Sequence, residues 1–151
     1  MYKTFNDLNI PVMRTVHPNP LPNIVGVDGD NRKLVSKEYF DENTANPNVW
    51  GPHFWASLHI SAAYYPFNPS EIVRERMKAR ILAIPYEIPC ELCRTHASAF
   101  IEGNRDRLDQ IVSGRHELGS FYVDFHNKVN QRYNKPTWTY ENAYKYYRGL
   151  N

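Results

Sequence analysis

From Asn48 to the end of the chain, apolar residues recur every three to four positions, the spacing of a helix face. Residues 1–47 follow no such period. The stretch Asn48–Pro66 predicts a first helix, with Pro52 in its opening turn and Pro66 beyond its end. Asn68-Pro69-Ser70-Glu71 predicts a second, capped by Asn68 with Pro69 at the first helical position, running to about Ile84. A charged face, Arg74 to Arg80, surrounds its apolar Ile72, Val73, Met77, Ile81 and Leu82. Pro85 and Pro89 bracket a loop, Cys90–Glu102 predicts a third helix stopped by Gly103, and residues 104–114 read as a polar connection. A fourth helix covers about Glu117–Tyr133 and ends before Lys135-Pro136. Thr139 caps a short aromatic fifth helix through Tyr147, with Gly149 after it.

The pattern therefore predicts an all-α domain over residues 48–151, preceded by an irregular arm over residues 1–47. The arm carries prolines at 11, 18, 20, 22 and 47 and a turn at Asp28-Gly29-Asp30-Asn31 that suits a short hairpin. That turn lacks the later ligands and terminal Glu of a calcium loop, so it reads as a plain turn. A length of 151 residues suits one domain. The 14% aromatic content, with eleven tyrosines, fits core packing first and a planar ligand second. A net charge of +2, with acidic and basic residues interspersed, argues against nucleic acid as a partner. No apolar run is long enough to cross a bilayer, and the N-terminal residues lack the apolar core of a signal peptide. The expectation is a chain outside the ordinary secretory route and off the membrane.

The only two cysteines form Cys90-x-x-Cys93 at the start of the third helix. There, unpaired backbone N–H groups and the helix dipole favour a thiolate. Zinc would need Cys90, Cys93, His96 and a further His, and no second ligand pair stands at regular spacing. Haem attachment would need His directly after Cys93, where Arg94 stands. A thioredoxin-like site would need strands between the helices. Two further features bear on the chemistry. Trp55 and His59 share a face of helix one, ordinarily a sign of core packing. His126, Asn130 and Tyr133 share a face of helix four, a costly inward arrangement unless a polar ligand or water satisfies it.

Four blocks in order resemble the FAD-linked sulfhydryl oxidases of the Erv/ALR type. They are Trp50-Gly51-Pro52-x-x-Trp55-x-x-Leu58-His59 with Ala62-Ala63-Tyr64-Tyr65-Pro66; Cys90-x-x-Cys93 with His96; His126-Asn127-x-Val129-Asn130; and Lys135-Pro136. The resemblance implies a four-helix bundle plus a short fifth helix enclosing FAD, with the disulfide beside the flavin ring. It implies cofactor-binding roles for Gly51, Trp55, His59, His96, Phe100, His126, Asn127, Val129 and Asn130, with Arg132 and Lys135 near the phosphates. The implied reaction passes electrons from a substrate dithiol through Cys90 and Cys93 to FAD and on to O2, giving H2O2. Cys90 would meet substrate and Cys93 the flavin.

Many members carry a further cysteine pair, and the corresponding positions here are Val123 and Tyr140. Packing by Trp138, Tyr140 and Tyr144 is expected to hold the fifth helix in its place. With no shuttle cysteines in the arm, electrons must come directly from a partner dithiol, such as a thioredoxin-like or C-x-x-C protein, and any homodimer must be noncovalent. These features look most like the minimal viral members, which sets an expectation of host cytoplasm or virion, with the mitochondrial intermembrane space as the alternative. The competing reading from another class is a noncatalytic zinc-binding or redox-switch module.

Overall fold

The computed structural model describes residues 46–150, and the expectations for the arm lie outside them apart from its last two positions, Asn46 and Pro47. All regular structure among the described residues is helical, as the periodicity predicts. The helices are α1 (Pro47–Ala63), α2 (Glu71–Glu87), α3 (Glu91–Glu102), α4 (Leu108–Ile111), α5 (Arg115–Arg132) and α6 (Tyr140–Arg148), with a 3-10 turn over Arg105–Arg107.

Three boundaries differ from the prediction, each for a local reason. Helix α1 starts one residue earlier: Asn46 Oδ1 accepts from the Asn48 N–H at 3.0 Å and Pro47 takes the first helical position, leaving Pro52 inside the helix rather than in its opening turn. Helix α2 begins after Ser70 rather than Asn68 and runs through Pro85 to Glu87. Pro85 sits in the last turn and is buried, so packing overrides the missing N–H. The connection over 104–114 is not wholly polar: Leu108 and Ile111 on α4 and Val112 just after it turn inward and are 7% exposed or less. The other ends match. Thr139 Oγ1 accepts from Asn142 N–H at 3.2 Å to open α6, and Gly149, at φ 66°, closes it in the left-handed conformation that glycine adopts freely.

Helix α1 packs along α5 and α6, α2 against α3, and α4 fills between α2 and α5. Leu58, Ile81, Ile84, Ile101, Val112, Leu118 and Tyr122 are fully buried where these faces meet. Each contributes about 1.5–3 kcal/mol of burial, which makes this side the rigid back of the bundle. Two polar groups are accommodated there: Tyr65 donates to the Val112 carbonyl at 3.0 Å, and the Tyr122 hydroxyl meets Met77 Sδ at 3.6 Å. The opposite side, between α1, α3, α5 and the approach to α6, is open and holds the site.

Candidate functional site

Cys90 is the N-cap of α3 and forms a disulfide with Cys93, their Cα atoms 5.2 Å apart. Cys90 Sγ also accepts from the Cys93 N–H at 3.2 Å. Both sulfurs thus sit at the positive end of a twelve-residue helix, where negative charge on sulfur is stabilised. Both residues are half-buried. Among the described residues no three His, Cys, Asp or Glu side chains gather as metal ligands, so the residues a zinc site would need do not converge.

Beside the disulfide lies a cleft of about 1280 Å³, above the roughly 300–1,000 Å³ usual for small-ligand pockets. Cys93 lines it, while Cys90 does not. Gly51 and Trp55 of α1, His96 and Phe100 of α3, and His126, Val129, Asn130 and Arg132 of α5 line it too, as does Lys135 beyond α5. Its aromatic wall is continuous. Phe100 stacks on Phe125 at 4.9 Å, Phe125 meets Trp55 edge-on at 5.0 Å, and Trp55 stacks on His126 at 4.1 Å and 4°. Cationic Lys128, Arg132 and Lys135 line it as well, and the turn that carries Lys135 is pinned by Asn130. Buried Asn130 donates from Nδ2 to the Pro136 carbonyl at 3.1 Å and accepts Lys135 N–H on its own carbonyl at 2.8 Å. Asn134 between them takes φ 53°, which asparagine tolerates better than most residues.

Two residues expected on the wall stand behind it. His59 is 5% exposed; its Nε2 lies 3.0 Å from His126 Nδ1, and its ring stacks on Tyr147 at 4.9 Å. Asn127 clamps the segment before α6: its Nδ2 donates to the Trp138 carbonyl at 2.8 Å and its Oδ1 accepts Trp138 N–H at 2.9 Å. Desolvation pushes both imidazoles down to about 4, with a smaller contribution to His59 from His126 and to His126 from Lys135, so both rings are neutral at ordinary pH.

The aromatic packing expected of the last helix is present and extends further. Trp138 meets Tyr146 and Tyr147 at 5.5 and 6.3 Å, and Tyr140 meets Tyr144 at 5.8 Å and His116 at 4.4 Å. Tyr140 also lies over Gly119, where a Cβ would stand 2.5 Å from its ring, so α5 needs glycine at this contact. The sequence reading missed Trp50, Phe54, Lys128, Trp138 and Tyr147 as wall residues. Trp50 and Phe54 follow Pro47 at the spacing of one α1 face.

An all-helical core holding a half-buried disulfide against an aromatic cleft lined also by three cations is a specific combination, and the Erv1 / Alr family model matches residues 52–148. The chain belongs to the Erv1/Alr family. It is 41% identical over 103 residues to a putative FAD-linked sulfhydryl oxidase of Invertebrate iridescent virus 3, covering 68% of each chain. With the putative FAD-linked sulfhydryl oxidase of Invertebrate iridescent virus 6 it shares 37% identity over 94 residues, covering 60% of this chain and 85% of the relative. Among solved structures it is similar to the yeast Erv1 core, with TM-score 0.63 and 26% identity over 78% of this chain and 97% of that one. The FAD-binding domain of Erv1 from Saccharomyces cerevisiae gives TM-score 0.57 and 31% identity, covering 67% and 92%. The family match runs from Pro52 within α1 to the end of α6, so the cleft residues of α3, α5 and α6 lie within it, while Trp50 and Gly51 stand just before its start.

Proposed function

We propose that this Erv1/Alr protein is an FAD-linked thiol oxidase that makes disulfides in partner proteins. The observation that carries the reading is the split of one disulfide between two surroundings: Cys93 is on the cleft wall and Cys90 is off it. A substrate thiolate attacks Cys90 Sγ, forming a mixed disulfide and releasing Cys93 Sγ as a thiolate at the helix start. The second substrate thiol then attacks its own sulfur in the mixed disulfide, leaving with the substrate disulfide made and both protein cysteines reduced. FAD, when bound, supplies the two-electron acceptor for that dithiol and the route onward to O2, giving H2O2.

Three observations support a fit between the cleft and FAD. The Trp50 indole Nε1 is buried on the wall with no hydrogen-bond partner among the described residues, a donor suited to a ligand acceptor. Among the described residues a Cβ at Gly51 would meet no atom within 4 Å, so their packing does not demand glycine here, whereas close approach of a ligand does. The aromatic wall suits a flat ring system, and Lys128, Arg132 and Lys135 suit a pyrophosphate. In this reading Gly51, Trp55, His96, Phe100, His126, Val129, Asn130, Arg132 and Lys135 contact the cofactor, while His59 and Asn127 act through neighbours.

The partner is a protein dithiol, O2 is the final acceptor, and a homodimer is noncovalent because both cysteines are paired within the chain. No described helix is long and apolar enough to cross a membrane. The viral relatives favour the host cytoplasm or virion over the mitochondrial intermembrane space as the place of action. Purified protein should be yellow, and should consume O2 with dithiothreitol and release peroxide. A colourless protein that loses its fold to a chelator would instead support the zinc or redox-switch module.

A further inference from the structure

His59 and His126 meet nitrogen to nitrogen at 3.0 Å behind the cleft wall. Two neutral imidazoles in that contact share one proton, so one ring donates and the other accepts. Neither ring is free to turn away. Tyr147 covers His59 at 4.9 Å and 15°, and Trp55 covers His126 at 4.1 Å and 4°. Because Nδ1 of His126 is committed to His59, Nε2 is its remaining nitrogen for the cleft that His126 lines.

The charged and titratable surroundings choose the donor. Around His126 they are His59 from α1, Tyr147 from α6 and Lys135 from the connection between α5 and α6. Tyr147 is neutral, burial having raised its hydroxyl further above the ordinary value. Lys135 is the charge acting on His126, and it lines the same cleft. A cation on that side favours a lone pair toward the cleft over an N–H.

We propose that His59 is a positioning residue that accepts Nδ1–H from His126, so that His126 turns the lone pair of Nε2 into the cleft to receive an O–H or N–H donor of the bound dinucleotide. The inference rests on the FAD reading for the identity of the ligand, but the tautomer is a property of the protein alone. In either tautomer the nitrogen left to take a further proton, His59 Nδ1 or His126 Nε2, lies outside the contact, and burial disfavours charge on either ring. The dyad thus has one arrangement, with His59 neutral and His126 a fixed acceptor.

Long-range proton–nitrogen correlation spectra of the full chain at pH 7 read the tautomer directly. The expected result is Nδ1–H at His126, with no titration of either ring between pH 7 and pH 5. His59→Leu should leave the Nδ1–H of His126 without its acceptor, so that the Nε2–H tautomer appears, and weaken flavin retention about tenfold, the worth of one hydrogen bond. His59→Gln, whose side-chain oxygen can accept the same proton, should restore both. An Nε2–H tautomer at His126 in the unmodified protein overturns the proposal, even where the leucine variant fails to fold. So does a folded His59→Leu protein that keeps both tautomer and flavin affinity. Flavin absorbance of the unmodified protein reports separately on the proposed function, so the two failures are distinguishable.

Discussion

The start of α3 and the junction of α1, α5 and α6 are built on opposite plans. At α3 the proposed chemistry is carried by two sulfurs at a helix end, half-buried, one on the cleft wall and the other off it. At the junction no group changes oxidation state. It consists instead of stacked rings, the two neutral imidazoles and the double clamp of Asn127 on Trp138. In the proposed reaction the first region opens and exchanges partners at each turnover, while the second holds still. Burial differs accordingly, because a disulfide that meets a partner needs exposure whereas a wall that orients a flat ligand gains from rigidity.

Substitutions should therefore separate cleanly in what they damage. The largest effect falls on α3: Cys93→Ser removes the sulfur on the cleft side and should lower O2 consumption with dithiothreitol by about a thousandfold or more. Flavin absorbance and melting temperature should stay near those of the unmodified protein. Loss of flavin in this variant would break the division between the two regions. Next comes Trp138→Ala, which removes the ring contacts with Tyr146, Tyr147 and His126. For a half-buried Trp the cost should be about 2–3 kcal/mol. Flavin should release faster while the disulfide remains competent for exchange with dithiothreitol. An unchanged melting temperature and unchanged flavin retention would show that α6 is held by something else. Asn127→Ala is smaller, about 1–2 kcal/mol for two hydrogen bonds at the edge of the core, read in urea unfolding. Its effect should not add to that of Trp138→Ala, since both act on the same docked segment.

The two regions were also unequally legible in the sequence. The helices and the α3 start were plain, because helical periodicity, Pro and Gly punctuation and a C-x-x-C are local signals read within one turn or two. The four family blocks placed most of the cleft wall as well. What stayed hidden depends on distant packing. The contact between His59 and His126 spans 67 positions, and nothing local distinguishes a residue on the wall from one just behind it. Asn127 was expected against the ligand for the same reason: its neighbours His126 and Val129 do line the cleft, while its own amide turns to Trp138. Pro85 misled in the opposite sense, since burial keeps α2 going where the local rule ends it.

The smallest effect is the one that isolates the junction without a mutation. His59 and His126 are each lowered from 6.5 to about 4 in the folded chain. Between those values the unfolded chain binds more protons than the folded one, so stability rises with pH across the window and is lost as pH falls from about 6.5 toward 4. The disulfide does not titrate in the oxidised protein. The carboxylates whose values are lowered, Glu102 and Asp109, begin from 4.5 and 3.8, and so act below most of the window. Oxidised, flavin-free protein should therefore melt about 5 °C lower at pH 5 than at pH 7. His59→Gln should flatten that slope, because it removes one of the two groups that must take up a proton. Equal slopes in the two proteins would place the pH dependence elsewhere and leave the junction a rigid wall with no protonic role.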